Sequence, residues 1–142
     1  MGERVRATTV RIAAPADRVW SVMTDVGRWP DWSESVAEVH QLDGGALAVG
    51  GRARIHQPGL RPAIWTVDSI DPGEAFTWST TAPGARVTAV HRIATAADGS
   101  LEVELTVVTS GALAGFVDRV HGKKTQRFIE MEAAGLRRAC EA

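Results

Sequence analysis

The chain has 142 residues, of which 44% are hydrophobic and 23% charged, a balance that suits one domain with its own apolar core. Lys and Arg total 16 and Asp and Glu 17, for a net charge of -1. That sum provides no basic footprint for nucleic acid and no polybasic anchor for anionic lipid. The single cysteine, Cys140, excludes an internal disulfide and lacks any metal-ligand spacing.

The opening Met1-Gly2-Glu3-Arg4-Val5-Arg6 has no apolar signal-peptide core. Arg6 stands where a myristoylation site needs Ser or Thr. No run reaches the roughly 18 apolar residues of a membrane span. The expectation is a cytoplasmic protein with no nucleic-acid partner and no membrane span.

Val5 to Ile12 alternates β-branched residues with Arg and predicts a strand. Ala14-Pro15-Ala16-Asp17 opens a helix, with Pro15 suited to its first position and Asp17 to its positive end. Ala16, Val19, Trp20, Met23 and Val26 recur at helical spacing as its buried stripe, and Gly27 fits a C-terminal cap. Pro30, in Arg28-Trp29-Pro30-Asp31-Trp32, ends that helix and starts a short second one.

Ser35 to Leu42 reads as a strand ending in Asp43-Gly44-Gly45. Gly51 to Gln57 alternates Ala53 and Ile55 with Arg52, Arg54 and His56, a half-buried strand with His56 exposed. Ile64 to Ile70 and Ala75 to Thr81 are strands joined by the turn Asp71-Pro72-Gly73-Glu74. Both faces of the first carry apolar residues, so its inner face stays open at this point. Arg86 to Ala94 and Leu101 to Thr109 flank Asp98-Gly99, a strong hairpin signal. From about Leu113 to Ala139 the pattern is helical, with Leu113, Val117, Val120, Phe128, Met131 and Leu136 near one face. Gly122 marks a bend or a close approach.

The order predicts an α+β fold, with a curved antiparallel meander facing one long C-terminal helix over a single domain, residues 1–142. A helix about 10 Å across does not fill the concavity of such a sheet. Either large side chains fill the gap or a ligand cavity remains.

Ala14-Pro15-Ala16-Asp17-Arg18-Val19-Trp20, followed by Asp25-Val26-Gly27-Arg28-Trp29-Pro30-Asp31-Trp32, resembles the opening of the START-related helix-grip superfamily, in particular its polyketide cyclase/dehydrase branch. Val90-His91-Arg92-Ile93, Asp98-Gly99, Ser110-Gly111-Ala112-Leu113 and Gly135-Leu136 continue the likeness. The resemblance implies about seven antiparallel strands gripping the C-terminal helix, with two short helices after the first strand. It also implies a cavity for lipids, polyketides, sterols or aromatic compounds. Members of that superfamily include cyclases, transporters and receptors.

His91 shares a strand face with Val87, Ala89 and Ile93, so it is expected to point inward. Desolvation there favours neutral imidazole. Such a group can take a proton from a carbon between two carbonyls and return it to a leaving hydroxyl, as a cyclase or dehydratase requires. A core histidine with no chemistry fits the same pattern. Trp29, Trp32, Trp65, Phe76, Trp78, Ala89 and His91 are the expected ligand wall, with Leu105, Val120 and Phe128; for any single tryptophan plain core packing is the better account. Trp29 and Trp32 suit a pocket mouth. His121, with Gly122-Lys123-Lys124, reads as a solvated face. No metal site and no cofactor are expected. The expected partner is a hydrophobic small molecule, bound by a monomer or homodimer.

Overall fold

In the computed structural model, which describes residues 2–142, the alternating segment Arg4–Ile12 forms strand β1. Helices α1 (Ala16–Thr24) and α2 (Trp29–Trp32) follow, joined through a tight 3-10 turn at Val26–Arg28. The strands β2 (Glu38–Gln41), β3 (Arg52–His56), β4 (Ala63–Asp71), β5 (Ala75–Ala82), β6 (Ala85–Thr95) and β7 (Leu101–Ser110) come next, and helix α3 (Ala114–Glu141) ends the order. The seven strands make one antiparallel sheet in the order β1-β7-β6-β5-β4-β3-β2. Strands β2 to β7 therefore run as a meander, while β1 lies along the outer edge of β7 and α1 and α2 carry the chain across to the opposite edge.

Side chains alternate across a strand, so pairing register decides which residues meet on the inner face. Thr8, Leu105, His91 and Phe76 lie opposite one another in one row across β1, β7, β6 and β5. Arg6, Val107, Ala89, Trp78 and Val67 make the next row. In β4 the register shifts between Val67 and Ser69, so that Val67 pairs with Trp78 and Ile70 with Phe76. This bulge keeps both Val67 and Ile70 inside and resolves the face left open by the sequence.

Helix α3 packs chiefly on β1 and β7 and only lightly on β6. Its buried residues include Ala114, Gly122, Ile129, Ala133, Gly135 and Leu136. The small members let the backbone come close. A Cβ on Gly122 would collide with the Arg6 guanidinium, which holds Asp118 through two bonds of 3.1 Å. At Gly135 a Cβ would meet the Trp32 backbone carbonyl of α2. The far end is tied down by Arg18 Nε, which donates to the Cys140 carbonyl at 2.7 Å, and by the Ala13 N–H, which donates to Glu141 at 2.7 Å.

Several expectations change. Pro15 occupies the N-cap and not the first helical position, because its extended backbone (ψ 150°) precedes the helix. The helix ends at Thr24, so Gly27 is part of the tight turn and not its cap. Ala16 is exposed and does not join the buried stripe of Val19 and Met23. The segment 35–37 is not strand: Ser35 turns inward and its hydroxyl bonds that of Ser33 at 2.7 Å. His56 is half-buried and not exposed. Val120 on α3 is exposed, and so is Leu113, the N-cap beside Gly84, because the docked stripe is rotated towards the small residues.

Gly135→Ala is expected to lower stability by about 1–3 kcal/mol in urea unfolding, since rigid backbone opposes the new methyl group. Gly122→Ala should cost less, because the Arg6 side chain can yield. The Arg6 hydrogen bond holds the Asp118 carboxyl below its ordinary value of 3.8. A depressed carboxylate stabilises the fold above its unfolded value and loses that contribution as pH falls through its folded value. Asp118→Asn should therefore lower the urea midpoint at neutral pH, and the difference from the parent should vanish well below pH 3.8.

Candidate functional site

His91 stands near the middle of the inner face of β6 and is 3% exposed. The Phe76 ring stacks on it at 4.1 Å and 5°, because the two residues are directly paired across β5 and β6. Trp78 meets the imidazole edge-on at 5.9 Å, and Trp29 reaches it from α2 at 5.5 Å. Trp29 is locked in place by its indole N–H, which donates to the Met23 carbonyl at 3.1 Å. It is thus a core residue and does not frame a mouth.

From α3, Glu132 brings a carboxylate oxygen to 3.3 Å from His91 Nε2. The other ring nitrogen, Nδ1, is buried and has no hydrogen-bond partner. Glu132 is not among the residues expected from the sequence. Its signal was present: Phe128, Glu132 and Leu136 are spaced by four, which places a carboxylate between two apolar residues on one helix face. An orphaned imidazole nitrogen can accept or donate one hydrogen bond, depending on which nitrogen carries the proton.

Of the expected ligand wall, Trp29, Phe76, Trp78, His91 and Leu105 come together as buried neighbours, with Phe128 buried on α3. Trp32, Trp65 and Ala89 are half-buried and pack against this core. Trp32 lies 5.8 Å from Trp29, and Trp65 lies 5.9 Å from Trp78. Val120 does not join them; it is 55% exposed on the opposite side of α3. Large side chains fill most of the concavity beneath α2 and α3. A crevice of about 20 Å³ beside Trp78 and the β2–β3 connection holds no more than a water. Half-buried Trp65, Val87 and Ala89 extend the apolar inner face towards the part of the sheet that α3 covers only lightly.

His121 is exposed on α3. Burial pushes the Cys140 thiol up, which disfavours the reactive thiolate. Among the described residues, no three His, Cys, Asp or Glu side chains are arranged to hold a metal ion. Among the described residues, no helix is long and apolar enough to cross a membrane.

A seven-stranded antiparallel sheet gripping a long C-terminal helix, with an aromatic-lined inner face, defines a helix-grip fold. Residues 4–141 match the family described as polyketide cyclase / dehydrase and lipid transport, and the chain belongs to that family. No curated protein matches it in sequence. Among solved structures it is similar to the Zhui aromatase/cyclase of Streptomyces sp. R1128, at 21% identity and a TM-score of 0.78, over 99% of this chain and 94% of that one. It is also similar to norcoclaurine synthase of Thalictrum flavum in complex with dopamine and hydroxybenzaldehyde, at 15% identity and 0.75, over 97% and 86%. A hypothetical protein of Helicobacter pylori aligns at 13% identity and 0.77, over 98% and 88%. At these identities the likeness is one of fold.

Trp78 is expected to be a keystone of the filled concavity. Trp78→Ala should lower unfolding free energy by about 3–5 kcal/mol in urea, the range for deleting a buried aromatic ring.

Proposed function

We propose that the chain binds a hydrophobic small molecule of polyketide, lipid or aromatic type between the sheet and α3, with a polar group of that molecule on His91 Nδ1. The observation that carries this reading is the orphaned nitrogen at the centre of an aromatic wall. A buried polar atom without a partner costs about 1–3 kcal/mol, which a ligand hydroxyl or carbonyl would recover. Trp65, Val87 and Ala89 offer the apolar approach. Because aromatic rings fill the concavity, binding requires some of them to rotate.

Titration of the intrinsic tryptophan fluorescence with a panel of polycyclic, phenolic and fatty compounds tests this. Saturable change is expected for compounds that carry a carbonyl or hydroxyl on an apolar frame. His91→Ala should weaken those about tenfold, the equivalent of one hydrogen bond, while leaving plain hydrocarbons unaffected. A folded protein that takes up nothing from the panel would remove the ligand-binding reading.

The 3.3 Å contact between His91 and Glu132 favours a second reading, a polyketide cyclase or dehydratase. A proton held on Nε2 towards Glu132 leaves Nδ1 with its lone pair free to act as base. Nδ1 would take a proton from a carbon between two carbonyls. The resulting enolate carbon would form a ring bond to a third carbonyl carbon, and the imidazolium would return the proton to the new alkoxide. In a second round Nδ1 would take the remaining proton from that carbon and deliver it to the departing hydroxyl, leaving a carbon–carbon double bond and water. On a substrate that binds, His91→Ala should abolish turnover and Glu132→Gln should lower kcat with little change in KM. Turnover that survives His91→Ala would exclude this mechanism.

A further inference from the structure

The first half of α3 exposes an apolar crest. Leu113 is 46% exposed, Phe116 62% and Val120 55%. Their spacing of three and four places them on one side of the helix, opposite the docked stripe of Ala114, Asp118 and Gly122. Arg119, Lys123 and Arg127 flank the crest at exposed positions, and Lys124 lies beside Gly59 of the β3–β4 connection. Asp118 is the only acid between residues 113 and 127, and its charge is taken up by Arg6. A chain with a net charge of -1 thus carries a local block of uncompensated cations around three exposed apolar side chains.

We propose that this face of α3 docks on an anionic lipid surface, with Phe116 and Val120 at the acyl boundary and the cations at the headgroups. A convex helix crest with apolar residues on top and long basic side chains on its flanks has the shape and charge of an interfacial helix. No helix here can span a bilayer, so the contact is peripheral. A second copy of the chain fits poorly, because a two-fold pairing through this crest would bring both sets of cations face to face.

The test is co-sedimentation of the full chain with phosphatidylcholine vesicles, with and without phosphatidylglycerol. Binding is expected on the anionic vesicles and should weaken as salt rises. Phe116→Ser should reduce it at least about tenfold, through loss of the buried ring. Arg119→Glu should reduce it about fivefold or more, through loss of a cation at the surface. Ile64→Ser, exposed on the outer face of the sheet, should leave it unchanged. All three sites are exposed, so circular dichroism should report folded variants. Equal partition to neutral and anionic vesicles overturns the proposal, as does binding that survives Phe116→Ser. So does capture by an acidic protein, or a solution dimer that Phe116→Ser splits, when vesicles stay unbound. None of these outcomes depends on what occupies the inner face.

Discussion

One helix has to cover the concave face of seven strands, and it is too narrow to do so. The rest of the architecture answers that mismatch. Helix α3 settles towards one edge, over β1 and β7, where Gly122 and Gly135 allow the backbone to approach Arg6 and Trp32. The space left over β4 to β6 is taken by rings: Phe76 and Trp78 from the sheet and Trp29 from α2. Packing offset and edge-on aromatic rings across such a gap gains contact area that aliphatic side chains of the same strands would not reach.

Filling a concavity with rings leaves little freedom for polar groups inside it. His91 is the polar residue on which the site turns, and it lies flat on Phe76 with one nitrogen near Glu132 and the other without a partner. Glu132, whose side chain is 13% exposed, has Phe128 and Leu136 one turn away on either side of it along the helix. An imidazole and a carboxylate brought together in apolar surroundings interact more strongly than they would in water, and any ligand group reaching Nδ1 would share in that. The same rotation of α3 that turns Glu132 inward turns Phe116 and Val120 outward. The polar interior and the apolar crest are two consequences of one helix phase.

That phase was the feature least legible in the sequence. Leu113 and Val120 looked like core because hydrophobic periodicity weights large side chains. The positions that dock are small, and Ala114, Gly122 and Ala133 add little to such a pattern while permitting the closest approach. Glu132 was overlooked for the complementary reason: a charge on a helix reads as solvent-facing unless its partner is known, and His91 lies 41 positions earlier on a strand. The whole-chain charge is silent on a related point, since a sum near zero conceals where along the chain the cations sit.

By itself the sequence determined the order and kind of the elements, because strand alternation, the turns at Asp71-Pro72-Gly73-Glu74 and Asp98-Gly99, and the start of the short second helix at Pro30 are local signals; the first helix ends earlier, at Thr24, and not at Pro30. It also determined that His91 points inward, since Val87, Ala89 and Ile93 share its face by simple period two. Only the tertiary structure decided the inner face of β4, where the register shift after Val67 reverses the alternation. Only it decided that rings fill the concavity, that Glu132 meets His91 and that Phe116 faces outward. Each of these depends on how far one element is shifted or rotated against another, and no local pattern of residues encodes that distance.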